Sequence, residues 1–139
     1  MKRNFILLFA FALALAACQS QPVEVADEQV EVGGGAYSNL SPQELNALLG
    51  AKDFVFVNVH IPFEGNIAGT DLSIPYDQIE QNVSQLPADP NAKIVLYCRS
   101  GRMSAIAAAT LVKMGYTNIW NLDGGMIAWE QAGFELQGK

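Results

Sequence analysis

The stretch Ile94-Val95-Leu96-Tyr97-Cys98-Arg99-Ser100-Gly101-Arg102-Met103-Ser104-Ala105-Ile106-Ala107-Ala108-Ala109-Thr110-Leu111-Val112 changes character twice. Its first four residues are a short apolar run, as expected of a parallel strand covered on both faces, and Lys93–Tyr97 is predicted as that strand. The alanine-rich run that follows favours a helix, predicted over Ser104–Met114 and stopped by Gly115. Between them lies a short loop from Cys98 to Met103. A strand that delivers a lone cysteine onto such a loop, at the mouth of a helix, aims backbone N–H groups and a helix N-terminus at one point, which favours an anion. A cysteine there is expected as a thiolate, the nucleophilic form of sulfur. Gly101 lets the backbone curl tightly round the sulfur. Ser104 sits where a helix cap belongs, with a hydroxyl to add one hydrogen bond.

Outward from this core the elements alternate. Ser41-Pro42-Gln43-Glu44 is a capping box with proline at the first helical position, opening a helix that runs through Leu45, Leu48 and Leu49 to Gly50. Phe54-Val55-Phe56-Val57-Asn58-Val59 is a central strand by its nearly unbroken apolar character. Leu72-Ser73-Ile74 is a short strand ended by Pro75. Asp77 is placed to cap a helix carrying Ile79, Val83 and Leu86 on one face. Asn118–Leu122 is a further strand, and Gly124-Gly125 turns into a last helix, Met126–Gln131, ended by Gly133. This alternation predicts an α/β fold: a parallel sheet of about five strands with helices on both faces. Ligands in such folds bind at the carboxyl ends of the strands, where Cys98 lies.

The N-terminus reads as a targeting signal over residues 1–17. Lys2 and Arg3 begin it and Phe5–Ala16 forms an apolar core, too short to span a bilayer comfortably. The segment ends Leu15-Ala16-Ala17-Cys18, which resembles the lipobox of bacterial lipoproteins, in which the cysteine is acylated and becomes the new N-terminus. An ordinary signal-peptidase site at Ala14-Leu15-Ala16 is the rival, and the Leu-Ala-Ala-Cys spacing favours lipidation of Cys18. Gln19 at the next position resembles the pattern of Gram-negative lipoproteins sent to the outer membrane. The expectation is an extracytoplasmic domain, held by lipid at the periplasmic face of that membrane. Residues 18–36 are acidic, contain Gly33-Gly34-Gly35, and are expected to be a flexible tether, leaving 37–139 as one domain.

Loss of Lys2 and Arg3 with the signal carries the formal charge from −6 to −8. Such a surface argues against nucleic-acid partners, whose phosphates need basic residues to neutralise them. With Cys18 lipidated, Cys98 has no internal disulfide partner in an oxidising compartment, and is either inert and buried or reactive. His60 is the sole histidine, so no protein-built metal site is expected, and no cofactor.

The cysteine loop, then Gly115-Tyr116-Thr117-Asn118-Ile119, then Leu122-Asp123-Gly124-Gly125-Met126-Ile127-Ala128-Trp129 resemble the rhodanese domain of the thiosulfate sulfurtransferases, over about residues 38–136. The resemblance implies that Cys98 takes sulfur from a small anionic donor, carries it as a persulfide, and passes it to a thiol or cyanide. It also implies that Arg99, Ser100, Gly101, Arg102, Met103 and Ser104 surround the substrate in a chain expected to act as a monomer. Among the cations, Arg102 is favoured over Arg99 to meet the anion. Met103 is read as pocket wall or core alike, and Trp129 as a core anchor beside a tight Gly-Gly turn. Cysteine phosphatases share the nucleophile but place an arginine six residues after it, to clamp phosphate; here that position is Ser104. Where rhodaneses read Asp-Val-Arg this chain has Asn58-Val59-His60, and Gly65-Asn66-Ile67 replaces Gly-His-Ile after a shortened loop. His60 is a candidate titrating group facing the site, against a purely structural role. A persulfide carrier that serves a partner, with little turnover of free thiosulfate, is the rival function.

Overall fold

The computed structural model describes residues 28–139. The signal, Cys18 and residues 18–27 of the expected tether lie outside the described residues.

The strand of the opening motif is β6 (Ile94–Tyr97), and all four of its residues are buried. Because side chains alternate across a strand, Ile94 and Leu96, with Cys98 beyond them, enter one core, while Val95 and Tyr97 enter the other. β3 (Val55–Asn58) does the same, with Val57 on the first side and Phe56 on the second. The first core is covered by α2 (Arg102–Lys113) through Ala107, Ala108, Leu111 and Val112. The second is covered by α1 (Pro42–Leu49) and α3 (Gly125–Gln131) through Leu45, Met126 and Trp129. Helices therefore lie on both faces, as predicted, and the capping box at Ser41 and Glu44 is formed.

The sheet has six strands rather than about five, with β2 (Gly35–Leu40), β7 (Ile119–Leu122), β6, β3 and β5 (Leu72–Ser73) parallel in that spatial order. The sixth, β1 (Glu28–Val32), pairs antiparallel with β2 at one edge. A separate ribbon joins β4 (Asn66–Ile67) to β8 (Leu136–Gln137).

Two expectations are corrected. Residues 28–36 are not tether. Val30 and Val32 pack on the α2 side while Gln29 and Glu31, on the other face of the strand, are exposed, and Gly33-Gly34 is the hairpin turn into β2, with Gly34 at φ +107°. The helix expected after Asp77 is instead two short 3-10 turns, Tyr76–Gln78 and Val83–Gln85. Asn82 breaks it: its side-chain amide donates to the Gln78 carbonyl and its side-chain oxygen accepts from Gln85, bonds that compete with a helical backbone. Ile79 and Leu86 still reach the core.

A chain truncated to begin at Tyr37 removes β1 and the cover that Val30 and Val32 give the core. It is expected to fold but to be less stable than one beginning at Glu28 by about 2 kcal/mol, from lost apolar burial. Equal urea midpoints for the two chains would show that β1 adds nothing.

Candidate active site

Cys98 follows the last residue of β6 and is 1% exposed, at the carboxyl edge of the sheet. Its Sγ accepts the Gly101 N–H at 3.1 Å and the Ser104 hydroxyl at 3.4 Å. That one Ser104 hydroxyl proton is shared with the Gly101 carbonyl, 3.1 Å away. Ser104 is not the cap: α2 begins at Arg102 and its N-cap is Gly101, at φ +93°, with no side-chain cap bond. Serine belongs one turn inside because its work is on the sulfur. The first N–H groups of an α-helix have no intrahelical acceptor, so this uncapped end turns donors and the positive end of the helix dipole toward the loop.

The loop is pinned from outside. The Met126 N–H donates to the Cys98 carbonyl at 2.9 Å and the Ile127 N–H to the Arg99 carbonyl at 3.0 Å. Both donors open α3, so the Gly124-Gly125 turn is a buttress for the cysteine loop. A Cβ on Gly125 would lie 2.4 Å from the Cys98 carbonyl oxygen, and one on Gly124 would lie 2.6 Å from the Ala128 Cβ. Trp129 is the expected anchor: it is buried, donates Nε1–H to the Glu135 carbonyl, and lies against Phe134 with ring centroids 4.5 Å apart.

The two arginines differ in their partners, for a reason that lies elsewhere in the chain. Arg99 Nη1 donates to Glu64 Oε1 at 3.1 Å, its side chain 53% exposed. Arg102 is exposed and, among the described residues, no carboxylate pairs with it. Ser100 is exposed on the loop, and Met103 is half-buried against the α2-side core.

Glu64 also holds His60, through Oε2 and Nε2. That hydrogen bond, aided by Arg99, keeps the Glu64 carboxyl below its ordinary range despite some desolvation. His60 Nδ1 is buried without a partner, and the ring makes no bond to Cys98. Asn58 is also absorbed into the loop. Its amide donates to the Gly65 carbonyl at 3.0 Å and to Asn66 Oδ1 at 2.9 Å, and its oxygen accepts the His60 N–H at 3.0 Å. Glu64 thus places a carboxylate in the loop that follows Asn58, between His60 and Arg99. No periodicity marks a carboxylate four residues beyond a histidine in an irregular loop, so the sequence reading missed it. A hollow of about 190 Å³ beside this loop is lined by His60, Ile61, Phe63, Ser73, Ile74 and Pro75 together with Asn58.

A buried thiol that accepts the Gly101 N–H and the Ser104 hydroxyl, at the carboxyl edge of a mostly parallel α/β sheet, defines a class of cysteine-loop domains. Within that class, the rhodanese-like domain family matches residues 41–132, and the chain belongs to it. It is 36% identical over 92 residues to a sulfurtransferase of Allochromatium vinosum, covering 64% of this chain and 83% of that one. It is 33% identical over 112 residues to the tRNA uridine(34) hydroxylase of Erwinia tasmaniensis, covering 76% of this chain but 31% of that longer protein. The thiosulfate sulfurtransferase structure from Pseudomonas aeruginosa superposes with a TM-score of 0.63 at 25% identity, over 74% of this chain and 21% of that one. The family and its sulfurtransferase members support sulfur transfer as the general chemistry.

Gly125→Ala and Gly115→Ala separate clash from backbone strain. Both residues have positive φ, +58° and +100°, but a Cβ at Gly115 meets nothing within 4 Å. Gly115→Ala is expected to cost about 1–2 kcal/mol, the strain of a left-handed non-glycine residue. Gly125→Ala is expected to cost at least about twice that and to slow iodoacetamide alkylation of Cys98. Equal urea midpoints and equal alkylation rates would remove the buttress.

Proposed function

We propose that the domain transfers sulfane sulfur from thiosulfate or a similar anionic donor to a thiol or cyanide, through a persulfide on Cys98. The observation that carries this reading is the cradle of Sγ, with Gly101 N–H at 3.1 Å and Ser104 Oγ at 3.4 Å. The Cys98 thiolate attacks the outer sulfur of thiosulfate, a new S–S bond forms, and sulfite leaves with the electron pair of the old one. The acceptor then attacks the outer sulfur of the persulfide, takes it as thiocyanate or a new persulfide, and returns the electron pair to Cys98. The anion moves by one S–S bond length between the two states, so preorganised donors serve both. An α2 entrance free of a side-chain cap leaves N–H groups for the second sulfur. The phosphatase reading lacks its clamp, because Ser104 occupies the arginine position and its hydroxyl is already on the sulfur. For location, the lipobox at Leu15–Cys18 supports a domain anchored by lipid on Cys18 at the periplasmic face of the outer membrane. Among the described residues no helix is long and apolar enough to cross a membrane.

Thiosulfate treatment is expected to raise the intact mass by about 32 Da, reversed by cyanide and absent in Cys98→Ser. No mass gain between about pH 6 and 9 would overturn the persulfide route. Persulfide formation without steady-state turnover of thiosulfate and cyanide would favour the carrier. Arg102→Ala is expected to raise KM for thiosulfate roughly tenfold while leaving iodoacetamide alkylation nearly unchanged, because the charge acts on the anion and not on the thiolate. Arg99→Ala, whose cation is already matched by Glu64, is expected to do less. Unchanged thiosulfate kinetics in Arg102→Ala at low salt would leave the backbone as the sole anion binder.

A further inference from the structure

The loop after β3 sets a carboxylate of the chain itself against the cysteine loop. Glu64 Oε1 accepts a hydrogen bond from Arg99 Nη1 at 3.1 Å, and Arg99 is the residue that follows the nucleophile. An isolated surface pair would count for little, because two long side chains give up their freedom to hold it. This carboxylate is held at both oxygens. Its Oε2 is bound to Nε2 of His60, whose side chain is only 7% exposed, so Glu64 is fixed from the buried side and presented to Arg99. His60 is placed by the backbone. Its N–H donates to Asn58 Oδ1 at 3.0 Å, and the Val59 N–H donates to the Tyr97 carbonyl at 2.9 Å, so the start of the loop lies alongside the end of β6. With its carboxyl kept below the ordinary range, Glu64 is ionised at neutral pH.

The result is a balance of charge at the carboxyl edge of the sheet. Arg99 and Arg102 bring two positive charges to the cysteine loop. Against them stand Glu64 and the exposed Asp123, which opens the glycine turn packed on Gly101. The side chains round the loop therefore offer an anion no net attraction, and its hold falls to fixed N–H dipoles. Coulomb energy is proportional to the charge of the donor. A carboxylate at this edge thus costs a dianion twice the energy it costs a monoanion, and rates depend exponentially on energy, so the factor in rate is squared.

We propose that Glu64 sets the charge of the sulfur donor: by occupying Arg99 with a carboxylate of the chain, it favours singly charged donors, thiosulfonates or organic persulfides, over doubly charged thiosulfate. The proposal rests on the sulfur-transfer reading above and narrows its donor. With a thiosulfonate, the Cys98 thiolate attacks the outer sulfur, a new S–S bond forms, and sulfinate leaves with the electron pair of the old one. Glu64 acts through Arg99 and the local field, with hydrogen bonds to His60 and Arg99 and not to the sulfur, so it is a positioning residue.

The test follows sulfur uptake by Cys98 as a second-order rate constant, from intact mass at low salt, with thiosulfate and with methanethiosulfonate. The second is thiosulfate with one oxygen replaced by methyl and one charge fewer. Ratios of variant to wild type cancel each donor's own reactivity, and uncharged iodoacetamide reports on the thiol alone. Glu64→Gln keeps the side-chain length and a hydrogen-bonding group for each partner. It is expected to speed uptake roughly threefold from methanethiosulfonate and, by the square, roughly tenfold from thiosulfate, with alkylation within about twofold of wild type. Both gains are expected to collapse at about 1 M salt. Glu64→Asp, which keeps the charge, is expected to hold the wild-type ratio between the two donors. Equal gains for the two anions, or an equal rise in alkylation, would point to a loosened loop and overturn the proposal. Glu64→Asp behaving as Glu64→Gln would overturn it too, by removing charge as the cause. No persulfide from either donor, in wild type or variant, would instead overturn the sulfur-transfer reading, and the proposal would fall with that premise.

Discussion

Two backbone hydrogen bonds, Met126 N–H to the Cys98 carbonyl and Ile127 N–H to the Arg99 carbonyl, set the position of everything around the sulfur. They close because α3 starts against the loop, with the Gly125 α-carbon where no methyl group fits. Gly101 shares the constraint, since a Cβ there would come within 3.2 Å of the Gly124 nitrogen. Two turns from different crossovers thus meet backbone to backbone. Because the loop is held through its main chain, the side chains of Arg99, Ser100 and Arg102 are exposed, Arg99 toward Glu64. In the proposed reaction, the main chain fixes the sulfur and these side chains are left to meet the donor.

This arrangement explains what could be seen in the sequence. Strand β6, α2 and the Gly-Gly turn each announce themselves locally, by an apolar run, an alanine-rich run and paired glycines, and the sulfur lies where two of these meet. Strand β2 escaped notice because its centre is polar. Ser38 is buried, and Asn39 shares a side-chain hydrogen bond with buried Asn121 at 3.0 Å, so no apolar alternation survives. Strand β1 was hidden by its composition: two valines are enough to cover one edge of a core but too few to outweigh two glutamates and three glycines in a hydropathy reading. Glu64 was invisible for a different reason. Its partners, His60 and Arg99, stand 4 and 35 residues away, and only the folded loop brings them together.

The His60–Glu64–Arg99 chain shows how the departures from the family pattern are accommodated. Glu64 pairs with Arg99 of the cysteine loop and with His60, and Asn58 ties the loop to Gly65 and Asn66 through neutral hydrogen bonds. Tyr97 reinforces the same loop from below. Its hydroxyl accepts the Ile67 N–H at 3.0 Å and contacts Thr70 at 2.8 Å, while burial pushes the phenol up and keeps it neutral. The loop therefore rests on neutral hydrogen bonds, and its charges face the mouth of the site. A consequence for the substrate is that Glu64 offsets Arg99, leaving Arg102 as the cation of the cysteine loop without a carboxylate partner among the described residues.

With a formal charge of −6, the chain must win the anionic donor proposed above locally. At physiological salt the field of exposed carboxylates decays over about 8 Å. The N–H of Gly101 and the hydroxyl of Ser104 reach the Cys98 sulfur at 3.1 and 3.4 Å, too close for intervening water, so salt does not screen them at the point where the proposed sulfur transfer takes place. For a dianionic donor such as the thiosulfate proposed above, an acidic surface slows encounter more than it weakens contact with N–H and O–H groups this close. Arg102, exposed in the first turn of α2, is the residue that offsets this at the entrance. Such a division, repulsive at range and attractive at contact, suits a site in which the anion is bound by fixed dipoles that need no rearrangement as sulfur passes from donor to enzyme to acceptor.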